Sequence, residues 1–338
     1  MRLATVLLLA SLSAWGPVQD PAPIAAVAPL PPPFAEWLTG LRAEAEARGI
    51  RPEILDQALT GVEPVAQILE RDQAQPEFTL DLDAYLRRRL TPAMGRTAQQ
   101  MYSKHRSLLK RAGAKFGVDP RIVVAVWGLE SNFGRFAGVR PTIPTLATLA
   151  YDPRRGPMFR AELLNALEIL NRGDIDIARL KGSWAGALGQ PQFMPSSYLQ
   201  FAQDFDGDGR KDIWTSLPDV FASVAYYLQQ HGWTAGASWG REVRIPAASR
   251  ARIDAIPRRD AGCRAERLMT APAPLASWRR LGVRTASGGA LPGNDIPASL
   301  LQAGRRSFLL YGNYDALLAY NCAHTYTLSV GLLADRLR

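Results

Sequence analysis

A glutamate that shares a helix face with valines and a tryptophan is a candidate acid catalyst, and Glu130 is placed that way. Asp119-Pro120 sets an N-cap residue before a proline at the first helical position. Arg121 to Leu129 then continues with no breaker before Gly128, so the spacing predicts a helix. Val123, Val126, Trp127 and Glu130 recur at separations of three, four and seven, which puts the carboxylate on the apolar stripe. Burial raises a carboxyl pKa. A carboxylic acid still protonated near neutrality can hand a proton to a poor alkoxide leaving group, which is what glycosidic cleavage requires. From this stretch alone, a glutamate at a helix end salt-bridged to an arginine is an equal alternative.

Two further constellations carry chemistry. Asp204, Asp206 and Asp208 supply carboxylates at positions one, three and five of a calcium loop, with Gly209 at six and the Arg210 carbonyl at seven. The pattern departs from a full EF-hand at position eight, where Lys211 replaces an apolar residue, and at position twelve, where Thr215 replaces the bidentate Glu. Asp212 or the later Asp219 would complete the shell. A metal-free acidic turn is the weaker reading, because adjacent carboxylates repel unless a cation or hydrogen bonds compensate. The segment Gly182 to Tyr198 is too rich in Gly and Pro for one helix and reads as a shaped loop leading into one. Its Ser183 and Gln192 offer neutral groups suited to a sugar amide or hydroxyl, although a purely structural loop is the commoner meaning of such glycines. Serine-hydrolase chemistry fits worse: Gly-Ser-Trp-Ala-Gly lacks the Gly-x-Ser-x-Gly order, and His105, His231 and His324 have no recognisable context as bases.

The elements that must position these residues are mostly helical. The chain has 338 residues, 47% of them hydrophobic, enough for two domains or one with a subdomain. Residues 1–20 read as a secretory signal, with Arg2 before the apolar run Leu3 to Ala14, and residues 21–33 as a Pro/Ala-rich tether. The apolar run is too short to stay as a spanning helix. With no cysteine near it to carry a lipid, a soluble periplasmic form without a membrane anchor is expected. Residues 34–100 show short amphipathic helices broken at Gly49, Gly61 and Pro64, and Thr97 to Gly117 reads as one further helix. Residues 101–236 form a helical core holding every motif above. Residues 237–307 turn to Gly, Pro, Arg and Ser with alternating runs such as Glu242 to Ile245, a small β-subdomain. Residues 308–338 return to helical periodicity. The expected fold class is therefore mainly α (α+β). Cys263 and Cys322 are the only thiols, and the sequence leaves their pairing open. Net charge is +9, which fits an anionic partner such as nucleic acid, a membrane surface or an acidic wall polymer, but the excess is diffuse and no nucleic-acid-binding signature accompanies it, so a solvated basic surface with no specific partner is the commoner meaning.

Val126 to Gly134, Gly182 to Tyr198, the Asp-rich loop ending in Trp214, Ala225 to Trp233, and Leu318-Ala319-Tyr320-Asn321 together resemble the membrane-bound lytic murein transglycosylase B family. The resemblance runs from about Phe34 to the C-terminus in the family's order, and is specific because five separated motifs agree. It implies a lysozyme-like catalytic core, a helical domain built from both chain ends, and an inserted β-subdomain. It further implies Glu130 as catalytic acid/base, with Arg155, Ser183, Gln192, Tyr227, Tyr320, Asn321 and Tyr326 lining the cleft. The expected metal shell is Asp204, Asp206, Asp208, Arg210 and Asp219 around one structural Ca2+, with no organic cofactor. The implied partner is the peptidoglycan glycan strand, bound by a monomer, with other wall-remodelling enzymes as further candidates. The implied reaction cleaves the MurNAc–GlcNAc β-1,4 bond and leaves 1,6-anhydromuramic ends. A hydrolytic muramidase on the same fold and a non-catalytic peptidoglycan-binding scaffold are the alternatives. Neither the lipobox cysteine of the family's anchored members nor the C-terminal peptidoglycan-binding module of some relatives is expected here.

Overall fold

In a computed structural model the chain is described over residues 32–68 and 81–338; the expected signal and all but the last two residues of the tether lie outside them. The helix Pro120–Ser131 is the centre of the molecule, with every side chain from Ile122 to Leu129 buried. The expected stripe is thus narrower than the face actually covered. Helices Pro92–Lys104, Arg106–Phe116, Leu217–Gln230 and His324–Ala334 pack around it on all sides. Asp119 caps its start by accepting from the Arg121 N–H at 2.8 Å. Its end is a sharp reversal: Asn132 and Phe133 take left-handed φ values of 49° and 59°. Phe133 folds back so closely that a Cβ at Gly128 would meet its ring at 2.6 Å, which is why the apolar run tolerates a glycine there.

The expected helix Thr97 to Gly117 is two helices, Pro92–Lys104 and Arg106–Phe116, meeting at His105. Before them come Phe34–Ala47, Pro52–Leu59 and Leu82–Arg89. After the central helix, Thr142–Tyr151 packs on Gly156–Arg172, and a two-stranded ribbon pairs Arg140–Pro141 with Lys181–Gly182.

The β-subdomain is an antiparallel sheet with strand order Ala273–Pro274, Pro297–Ala303, Arg306–Leu310, Gly240–Arg244, Arg284–Thr285. Alternation along the long hairpin sends Leu300 and Leu309 into a small core around Trp278, while Leu301, Phe308 and Leu310 join the main core. The last strand runs to Leu310, so the helical return begins later than residue 308, at Gly312–Tyr320, and ends with His324–Ala334. That last helix packs against both Pro120–Ser131 and Leu82–Arg89, and Arg336 donates to the Leu90 carbonyl at 3.2 Å. Leu82–Arg89 and the C-terminal helix therefore meet beside the helix that carries Glu130. No helix among the described residues is long and apolar enough to cross a membrane.

Candidate active site

Glu130 sits in the last turn of Pro120–Ser131, half-buried, and several bonds fix that turn. Ser131 Oγ donates to the Trp127 carbonyl at 3.1 Å and accepts from the Gly134 N–H at 3.0 Å. Trp127 Nε1 donates to Gln190 Oε1 at 2.6 Å, and Gln190 Nε2 donates to the Trp214 carbonyl at 2.8 Å. Arg89 Nη2 donates to the Leu129 carbonyl at 2.6 Å, placing a guanidinium at the negative end of the helix. The Gly182–Tyr198 segment and the Leu82–Arg89 helix thus hold the Glu130 turn from two directions.

The carboxylate opens into a cavity of about 460 Å³ whose polar lining includes Tyr85, Arg89, Arg264, Asn321, His324 and Tyr326. Among the described residues Glu130 is its only acid. Three roomier hollows, two of about 650 Å³ around Asp119 and Trp239 and around Arg259 and Asp315 and one of about 680 Å³ around Arg42 and Leu59, do not contain Glu130. The Tyr326 hydroxyl is buried and meets no partner at close hydrogen-bond geometry, yet the Glu130 carboxylate is near enough to bear on its ionisation. Burial first, and the Glu130 charge second, hold both Tyr326 and Tyr320 far above the usual phenol pKa. His324 is pushed down to about 4 by burial, with its Nδ1 2.9 Å from the Tyr314 hydroxyl, so it stands in the cavity as a neutral ring at neutral pH.

Of the residues expected in the cleft, Asn321 and Tyr326 line the Glu130 cavity. Tyr320 lies beside it, its hydroxyl donating to the Pro191 carbonyl at 2.7 Å and its ring edge-on to Tyr227 at 4.8 Å. Tyr227 donates to the Ala319 carbonyl at 2.8 Å and is buried, so it supports the wall from behind. Ser183 Oγ accepts from the N–H groups of Ala185 and Ala187 at 3.2 and 3.1 Å, and Gln192 Nε2 donates to the Gly189 carbonyl at 2.8 Å. Both polar groups shape the loop they sit on. Arg155 is exposed, its guanidinium 4.7 Å from the Phe159 ring, and does not line this cavity. Arg89, Gln190 and Arg264 were not singled out from the sequence. Arg89 is one of three consecutive arginines, and Gln190 stands two residues from the glutamine that was chosen. Only the tertiary contact distinguishes them.

The acidic loop gathers Asp204, Asp206 and Asp219, with one oxygen of each within 4.8 Å of the others. Asp219 is fully buried at the start of Leu217–Gln230, accepts from Phe205 and Asp212 N–H groups at 2.8 Å each, and is pushed up to about 6, chiefly by burial. Asp208 instead accepts from the Arg210 N–H at 2.8 Å, and Asp212 caps the next turn through Trp214 N–H at 2.9 Å and Thr215 N–H at 2.8 Å. Three converging carboxylates with one desolvated fit a hard cation of the calcium type, whose charge would relieve their repulsion.

A family model described as a transglycosylase SLT domain matches residues 33–335. The chain belongs to that family. It is 39% identical over 153 residues to the membrane-bound lytic murein transglycosylase B of Escherichia coli, an alignment that takes in 45% of this chain and 42% of that protein, less than half of the relative's length. SltB3 of Pseudomonas aeruginosa, solved in complex with NAG-anhNAM-pentapeptide, is 42% identical with a TM-score of 0.80 over 89% of this chain and 78% of its own. The E. coli lytic transglycosylase Slt35, solved in complex with calcium, is 27% identical with a TM-score of 0.73 over 90% of this chain and 92% of its own. The fold is the mainly helical, lysozyme-like transglycosylase fold expected from the sequence.

Proposed function

We propose that this protein is a lytic transglycosylase that cleaves the MurNAc–GlcNAc β-1,4 bond of peptidoglycan and leaves 1,6-anhydromuramic ends. The observation that carries the reading is a cavity in a chain of this family whose only described acid is Glu130, flanked by Asn321 and Tyr326. A hydrolytic glycosidase of the usual kind uses two carboxylates, one to protonate the leaving oxygen and one to act on the sugar or on water. With one, the substrate supplies the nucleophile. Glu130 protonates the oxygen between the two sugars, the C1–O bond breaks, and the muramic acetamido oxygen stabilises the cationic C1. The Glu130 carboxylate then takes the C6 hydroxyl proton as C6–O bonds to C1. No water enters the balance. The C6 hydroxyl is held within the substrate, and well-oriented intramolecular groups reach effective concentrations of about 10⁵ M or more.

Product mass decides between this and a hydrolytic muramidase. Digested peptidoglycan is expected to carry muramic ends lighter by one water than hydrolytic products and resistant to borohydride reduction. Mainly reducing muramic ends would overturn the transglycosylase reading in favour of a muramidase. Action on this polymer places the protein outside the cytoplasmic membrane, in line with the signal read from the sequence.

We also infer that Asp204, Asp206 and Asp219 hold a structural calcium ion, which would lock the loop between Pro195–Phe201 and Leu217–Gln230 and take no part in bond cleavage. Calcium binding only the folded state stabilises it by mass action, on the order of 2–3 kcal/mol at about a hundred-fold excess over Kd. Calcium is therefore expected to raise the melting temperature of the wild type but not of Asp204→Ala/Asp206→Ala. Equal shifts in both would remove the ion from this loop.

A further inference from the structure

Among the described residues the two most exposed large apolar side chains are Val139, 80% exposed, and Phe136, 65% exposed. Scattered apolar residues on a surface need no explanation. These two stand three positions apart on one short turn, directly after the helix that carries Glu130.

That turn is built to hold its shape. The Phe136 N–H donates to the Ser131 carbonyl at 2.9 Å, which ties the turn to the residue next to Glu130. At its far end the Val139 N–H donates to the Gly182 carbonyl at 3.0 Å. Gly138, at a φ of 104°, lies so close to Gly182 that a Cβ would meet that backbone at 2.5 Å. The entry through Asn132 and Phe133 is left-handed at both residues. A rigid turn that turns two apolar side chains outward is a presented surface rather than slack chain.

Its surroundings are cationic. Arg135 precedes Phe136 and is exposed, Arg140 follows Val139, and Lys181 is exposed on the strand paired with Arg140–Pro141. A pyranose ring offers an apolar C–H face that stacks on aromatic and aliphatic side chains, and a muramic unit adds a carboxylate through its lactyl group or the peptide attached there. The same turn meets both chemistries.

We propose that Phe136 and Val139 form an outlying subsite for the glycan strand, reached as the strand leaves the Glu130 cavity past the end of the helix, with Arg135, Arg140 and Lys181 receiving carboxylates. The proposal rests on the reading of the cavity as a glycan site and adds a strand-length preference to it. Because the ring faces are apolar and the flanking charges anionic, a long strand gains contacts here that a short fragment cannot reach.

The test uses the full chain carrying Glu130→Gln, so that binding is measured without turnover, with and without Phe136→Ser/Val139→Ser. The ligands are muramic-containing glycan strands of four sugars and of twelve or more. The parent is expected to bind the long strands more tightly, and the surface variant to lose about ten-fold on them while its tetrasaccharide affinity stays within about two-fold, with an unchanged melting temperature. Equal loss at both lengths, or no loss at either, overturns the subsite while leaving the cleft reading intact. A parent that binds neither length overturns the cleft reading, and the subsite with it. Sedimentation with vesicles containing anionic lipid supplies the last arm: if the surface variant loses vesicle binding but keeps strand binding, the turn is a membrane face and the proposal falls.

Discussion

Glu130→Gln is expected to lower turnover of peptidoglycan by about 10³-fold or more while leaving glycan affinity within a few-fold, since positioned acid–base groups contribute about 10²–10⁴-fold and in the proposed mechanism this one would serve twice. The amide keeps the shape of the side chain and its place in the helix turn, but it neither donates a proton to the bond oxygen nor accepts one from the C6 hydroxyl. No other described acid lines the cavity to substitute for it, and His324, which does, is held neutral by burial. Soluble muropeptide release reports turnover, and co-sedimentation with sacculi reports binding. A variant that releases product at more than about a tenth of the wild-type rate would remove Glu130 from the acid's role. The helix itself is not at stake, because its hold on the neighbouring segments runs through Trp127, Ser131 and the Leu129 carbonyl.

What could be read in the sequence was what depends on neighbours in the chain. The Asp119-Pro120 start and the apolar run ending in Glu130 are local patterns, and they produced the helix expected of them. Where the structure differs from the local pattern, the causes are long-range. The break at His105 carries no proline or glycine, and the helices on either side of it each pack on the central one. Ser183 and Gln192 show the right donor and acceptor types, but whether a polar group faces a ligand or its own loop depends on backbone geometry, and Gln192 with a φ of 55° turns its amide back to Gly189. In the acidic loop, spacing favours Asp208 and offers Asp219 as a later ligand; of the two it is Asp219, delivered from the start of the next helix, that converges with Asp204 and Asp206. Arg89 and Asn321 approach the same cavity from opposite ends of the chain, a relation that no window of sequence contains.

The same long-range logic makes the single cross-link consequential. Cys263 and Cys322 form a disulfide across a separation of 59 residues, and loop-closure entropy for a ring of that size gives about 4 kcal/mol of stabilisation. Its position matters as much as its length. Arg264, Ala265 and Leu268 form one wall of the Glu130 cavity, Asn321 to Ala323 form the adjoining one, and the bond joins them. Around it the Ala265 N–H donates to Cys322 Sγ at 3.3 Å, and Glu266 lies 3.9 Å from Arg259, which in turn pairs with Asp315 at 3.0 Å. These polar contacts are exposed in part and screened, so they hold the wall weakly without the covalent link. Cys263→Ser/Cys322→Ser is accordingly expected to lower the melting temperature by on the order of 5–10 °C. Turnover at a temperature well below melting should fall as well, because the segment carrying Asn321 loses its covalent tie to the adjoining wall. Dithiothreitol should reproduce both effects in the wild type and change nothing in the double serine variant. An oxidised and a reduced wild type that melt together, with equal turnover, would show that packing alone holds this wall and that the disulfide is incidental to the cleft.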